Sequence, residues 1–154
     1  MKLWFKGLTC VVISLLIAEF LHFGIKTYNN IEAMHLAERL AAIPFPAETE
    51  LIEVYSHAGK PVGNGNGIQL LAALLLKSNL SESALRLYYS KYEHQFQETS
   101  IGRIAVEKQL GREILLSINE DLYFATGPES DIYYIICTIE CPDSIPAMLD
   151  LRGH

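Results

Sequence analysis

The sequence predicts an α+β protein, in which an N-terminal transmembrane helix leads into a small, mainly antiparallel sheet with element order β-β-α-β-β-β and one helix packed on a face. Three observations predict it. An apolar run at 7–25 is interrupted only by Glu19 and His22 and flanked by Lys2, Lys6 and Lys26. Segments with strand-like alternation begin at Glu50, and a capped-helix signal at Ser81 separates two sets of them. The implied organisation is an anchor at 1–28, a helical stalk and Pro-containing linker at 29–46, and an extracytoplasmic α+β domain at 47–154.

Residues 3–25 number 23, and at about 1.5 Å rise each they reach about 34 Å as a helix, enough for a hydrocarbon core of about 30 Å with some tilt. A cleaved signal peptide is the competing reading. It fits less well, because no small-x-small site appears where the run passes through Phe23, Gly24 and Ile25 into Lys26, Thr27 and Tyr28. A lipoprotein reading of Cys10 fails because the apolar stretch follows the cysteine rather than preceding it. Two lysines and the amino terminus on one side, against Lys26 on the other, orient the N-terminus to the cytoplasm and the remainder outside, with Trp4 and Tyr28 suited to the interfaces. Glu19 and His22 share a helix face near the outer end of the span, where headgroups solvate them; a partner-helix or ion role is the alternative.

From Ile31 onward there are 17 acidic and 9 basic residues, a net charge of −8. This balance excludes nucleic acid and a strongly anionic lipid surface as partners for the domain, since both select clustered Lys and Arg. About 110 residues suffice for one core.

Taken in order, 31–43 combines strong helix formers with apolar residues at 36, 40 and 43, and Pro44 and Pro46 stop it. Asn29 and Asn30 either cap a separate helix or lie inside one rod running from the bilayer, and the rod is slightly favoured. Residues 50–57 alternate Leu51, Glu53, Tyr55 and His57 with Ile52, Val54 and Ser56, a strand pattern. Residues 68–76 are too apolar to face water on either side, and their Gly-Asn entrance favours a strand paired back on the first. Ser81 is the expected N-cap, Leu80 can staple onto Leu85, and Leu85, Tyr88 and Tyr92 form an apolar stripe, with Glu82, Arg86, Ser90 and Glu93 turned to water. Residues 103–107, 112–118, 122–125 and 132–139 read as strands, with turns at Gly111, 119–121 and Gly127-Pro128.

Cys137 and Cys141, if on one extended strand, have Cα atoms about 13 Å apart, beyond the ~7 Å reach of a disulfide, so bonding requires a turn between them. Two thiols make too few zinc ligands, and neither a metal nor a cofactor is expected.

The Gly-Asn-Gly-Asn-Gly stretch at 63–67 has neither the Lys-Ser/Thr ending of a phosphate loop nor a helix following it. Gly and Asn tolerate positive φ, which accounts for a hairpin turn without a ligand; a ligand-contacting loop formed by His57, Lys60, Asn64 and Asn66 is the alternative and the best site candidate in the sequence. The run from Ser56 to Lys60, the Gly-Asn motif, the apolar strand ending in Lys77-Ser78, and Leu80-Ser81 opening a helix with Tyr88-Tyr89 together resemble a group of short, uncharacterised bacterial membrane-anchored proteins, over about 40 residues plus the anchor. The resemblance implies a bacterial envelope protein and no particular activity. In that group a Cys commonly precedes the Gly-Lys pair, where this chain has Ala58, so no thiol chemistry carries over.

No catalytic residue is assigned. Ser56 and His57 are adjacent on a strand and point to opposite faces, so they do not act on each other. Glu120-Asp121 fall in a turn, and His57, His94 and Glu98 form a catalytic group only if the fold brings them together. The expectation is a single-pass membrane protein whose exterior domain binds an envelope protein or a small ligand. The alternative is a membrane-tethered, hydrolase-like enzyme using loop 57–67.

Overall fold

The structure, a computed structural model, describes residues 2–61, 67–104 and 133–153, with side chains placed at 7–61, 67–101 and 133–152. Several expected features lie outside these residues: Asn64 and Asn66, most of the strand at 103–107, the strands at 112–118 and 122–125, and the turns at 111, 119–121 and 127–128.

Helix α1 runs unbroken over Lys2–Ala41, 40 residues, or about 60 Å at 1.5 Å per residue. It is one rod. Asn29, which would otherwise compete for its own backbone, has its side chain engaged across the fold and leaves the helix intact. The rod ends where Ile43 donates to the Leu40 carbonyl in a tighter i→i−3 turn, just before Pro44 excludes a further helical residue.

The two halves of α1 have different surroundings. Residues 7–21 are exposed on all sides, and the helix they begin, from Gly7 to Ala41, is long and apolar enough to cross a membrane. Ala33, Leu36, Ala37 and Leu40, spaced by three and four, are buried against the sheet. Fully burying a leucine such as Leu36 or Leu40 contributes about 1.5–3 kcal/mol.

The sheet contains β1 (Thr49–Gly59), β2 (Gln69–Ser78), β3 (Glu98–Ile104) and β4 (Tyr133–Glu140) in spatial order β1-β2-β4-β3, every neighbouring pair antiparallel. The chain passes from β2 through α2 (Glu82–Tyr89) and a 3-10 turn (Ser90–Gln95) to β3, leaving between them the position that β4 fills. β2 is central, and residues 70–76 are buried without interruption, which is why they carry no polar alternation. On the first face, Leu70, Ala72, Leu74, Leu76 and Ile136 pack with α1, with Leu85 and Tyr89 of α2, and with Ala147 of α3 (Ile145–Leu149). Among the described residues α1, α2 and α3 all cover this face. On the second face, Leu71, Ala73, Leu75, Ile135 and Cys137 form a separate buried cluster.

Strict alternation along β1 is broken. Leu51 pairs with Leu76 but Glu53 pairs with Leu75, so Ile52 is the extra residue of a bulge. Leu51 therefore packs with the first-face core, whereas Tyr55, two pleats further on, packs with the second-face cluster. A single inserted residue exchanges the faces, since the side-chain period is two.

α2 starts as its sequence requires: Ser81 Oγ accepts from Ala84 N at 3.2 Å, and Leu80 packs on the cluster that holds Leu85. The stripe is rotated from the expected one, with Tyr89 buried and Tyr88 and Tyr92 only half-buried. The Tyr88 hydroxyl instead donates to the Pro44 carbonyl at 2.9 Å. β3 begins at Glu98, five residues earlier than alternation suggests.

Candidate functional site

The hairpin joining β1 and β2 holds the sequence-derived candidates. His57 and Ser56 do point to opposite faces, His57 opposite Leu71 and Ser56 opposite Ala72. His57 is half-buried, stacked near Tyr55 with ring centroids 6.5 Å apart and planes at 11°. Its Nε2 lies over Gly59, where any Cβ would sit 2.5 Å away. Burial first, and the positive field of Arg152 second, lower its pKa below the ordinary histidine value. The ring is therefore neutral at pH 7, with one nitrogen able to accept a proton. Lys60, three residues further along the chain, is half-buried. Gly67, the motif's described residue, has φ +96° and opens β2, and Ile68 N donates to the Ala147 carbonyl at 3.4 Å. The left-handed turn expected of this motif is present at Gly67. Asn64 and Asn66 lie outside the described residues.

His94 and Glu98 do not join His57. β1 and β3 are opposite edges of the sheet, with β2 and β4 between them, so three strand spacings of about 4.8 Å put His57 about 14 Å from the strand bearing Glu98. No group of three or more His, Cys, Asp or Glu is placed to hold a metal among the described residues. Cys137 and Cys141 are free thiols. Cys137 is buried against Ser100 Oγ at 2.8 Å, and burial pushes its thiol up, away from reactivity.

Beside the hairpin lies a polar network that the sequence did not single out. The buried carboxylate of Asp150 accepts from Asn29 Nδ2 at 2.9 Å and from Arg152 at its backbone N (3.1 Å), Nε (3.0 Å) and Nη2 (2.7 Å). Asn29 also donates to the Pro146 carbonyl at 3.1 Å, and Arg152 reaches Asn30 Oδ1 at 2.8 Å and the Lys26 carbonyl at 3.3 Å. Burial alone would raise the Asp150 pKa; the Arg152 and Asn29 hydrogen bonds outweigh it and hold the carboxyl well below the usual range. Every donor faces an acceptor, which makes this a structural clasp between the C-terminal segment and α1.

A second candidate lies between α2 and β3. Arg86, Leu87, Tyr89, Ser90, Glu93, Thr99 and Ile101 line a cleft of about 370 Å³, within the size range of small-molecule sites. Arg86 is held by Glu82 at 2.8 Å and by the Ile101 carbonyl. The Tyr89 hydroxyl and Thr99 Oγ1 are both buried and find no hydrogen-bond partner among the described residues. Buried hydroxyls normally have one, and two orphans lining one cleft mark a place able to hydrogen-bond a small polar molecule. Burial first, then the neighbouring Tyr88 and Tyr92, raise the Tyr89 pKa, so its hydroxyl stays protonated and can donate. No sequence motif signals this cleft, because its lining comes from both α2 and β3 and depends on how the two pack.

Comparison with protein-family models, with curated proteins and with solved structures finds no match. Function is therefore argued from geometry alone. The arrangement can neutralise and position a base at His57, and it can hydrogen-bond a small ligand at Tyr89 and Thr99.

Proposed function

We propose that this chain is a single-pass protein of a bacterial cell membrane, with its N-terminus in the cytoplasm, and that its exterior domain recognises an envelope protein or a small ligand. The observation that carries the reading is the continuity of α1, whose exposed apolar half and buried core half are one helix. A domain built around the end of its own membrane helix is held at a fixed height, which suits recognition at the membrane surface better than diffusion on a tether. The acidic balance of the domain supports a partner other than nucleic acid.

For a small ligand, the cleft with its two orphaned hydroxyls supports binding more than loop 57–67 does, since the side chains seen around His57 are Tyr55 and Arg152 and the nearby carboxylate of Asp150 is engaged in the clasp. The rival reading, a membrane-tethered hydrolase-like enzyme, is favoured by one observation, the neutral half-buried imidazole of His57.

The test combines fractionation with partner capture. Full-length protein should stay in the membrane after alkaline extraction, with its C-terminal part digestible only from outside. Cross-linked partners or ligand should be lost in Thr99→Val and Tyr89→Phe but retained when Asn64 and Asn66 are both changed to Asp. Loss only in the Asn64→Asp, Asn66→Asp variant moves the site to the hairpin. Loss of a chemical activity in His57→Ala with partners retained favours the enzyme.

A further inference from the structure

The C-terminal segment has its polarity inverted. From Ser144 to Arg152 the ionic residue Asp150 is 0% exposed, whereas Ile145, Met148, Leu149 and Leu151 are 72%, 54%, 56% and 66% exposed. A short segment facing water would be expected to show the opposite, with its carboxylate outside and its large apolar side chains beneath.

The position of this segment is set by the clasp. Arg152 and Asp150 bind Lys26, Asn29 and Asn30, and the apolar stretch of α1 ends at Ile25. Lys26 to Asn30 cover about 6 Å of helix rise, so the segment is fastened within about one and a half turns of the level where α1 leaves the hydrocarbon. The opposite end of the domain is remote: α2 is tied through Tyr88 to Pro44, beyond a stretch of α1 that rises about 22 Å from Lys26 to Ala41.

We infer that Ile145, Met148, Leu149 and Leu151 form a second membrane contact, a short interfacial patch that lies in the headgroup and upper acyl region beside α1. The occupant is the lipid bilayer itself, because the patch continues the surface that α1 already presents to lipid and because the carboxylate between its residues, Asp150, is turned inward and paired, the exposed Asp143 standing outside it just before the segment. Buried apolar side chains supply the attraction of interfacial segments, and Lys26 and Arg152 at the same level suit the phosphate zone. The patch fixes the tilt of the domain, which a single helix leaves free to rotate about its axis. The inference rests on the membrane-anchor reading and deepens it.

The experiment uses full-length protein reconstituted into phosphatidylcholine vesicles. Trp4→Phe removes the single native tryptophan, and Met148→Trp, Leu151→Trp or, as a distal control, Leu87→Trp on α2 is then introduced. Lipids brominated close to the headgroup end of the acyl chain should remove most of the emission at 148 and 151, with blue-shifted spectra, and leave the emission at 87 unchanged. Unquenched, red-shifted emission at 148 and 151 in protein that floats with the vesicles overturns the inference while leaving the anchor intact. Blue-shifted but unquenched emission also overturns it, since protein rather than lipid then covers the patch. Failure of the native protein to float, with Trp4 unquenched, overturns the anchor itself.

Discussion

Asn29 Nδ2 lies 2.9 Å from Asp150 Oδ2, joining residues 121 positions apart in a buried hydrogen bond between α1 and the C-terminal segment. This contact makes α1 a component of the domain and fastens the C-terminal segment where the helix leaves its apolar stretch. The clasp brings Arg152 near enough to lower the pKa of His57.

Asn29→Ala removes one donor from a fully buried carboxylate and should cost about 1–3 kcal/mol. Asp150→Ala should cost more, because it strands both the Asn29 amide and the Arg152 guanidinium. The double variant should fall short of the sum of the two singles, as expected for one network. Chemical denaturation in micelles measures all three, and strict additivity would refute the clasp.

Acid should weaken the domain in two steps. His57 has its pKa lowered on folding, so its contribution is full above about 6.5 and declines as pH falls through that value. Asp150 has its pKa depressed, so its contribution is full above about pH 4 and is lost as pH falls further. Thermal melts from pH 8 to pH 3 should show both declines. Asp150→Asn should abolish the lower one, and persistence of that step would place the titration elsewhere.

Glu48 is the non-glycine residue with positive φ among those described, at 62°, and its carbonyl accepts from Asn79 N at 3.2 Å. Left-handed backbone strains a residue with a Cβ, and its exposed side chain offers little in return. Glu48→Gly should raise stability by about 1 kcal/mol. A drop in the denaturation midpoint would mean that the Glu48 side chain makes a contribution larger than the strain.

Tyr89→Phe deletes a hydroxyl that is buried without a partner. Stability should stay level or rise by about 1 kcal/mol, because no hydrogen bond is lost and a desolvation penalty disappears. A destabilised variant would show that this hydroxyl is satisfied, and the cleft would then lose half of its case as a binding site.

Ser81→Ala removes the acceptor for Ala84 N and should cost about 1 kcal/mol. Ser81→Asp should restore most of it, since a carboxylate caps the same donor and favours the helix N-terminus. An unchanged midpoint in Ser81→Ala would show that the cap contributes nothing.

What the sequence determined by itself was local. The apolar run of α1, the prolines that stop it, the Ser81 cap, the uninterrupted apolar β2 and the left-handed Gly67 each follow from the chemistry of a few neighbouring residues, and each is in place. Tertiary structure decided the rest. The Ile52 bulge moves Leu51 and Tyr55 onto different cores, and period-two alternation carries no mark of an inserted residue. Tyr89 rather than Tyr88 or Tyr92 is buried because the sheet sets the rotation of α2, which a tyrosine-rich stripe leaves undecided. Asn29, Asp150 and Arg152 look like ordinary solvated residues in sequence, and so do Tyr89 and Thr99 as site residues. Their roles depend on contacts across 117 to 126 positions or across β3 and α2, and such pairings arise only when packing removes water and leaves each polar group to find whatever partner the fold brings to it.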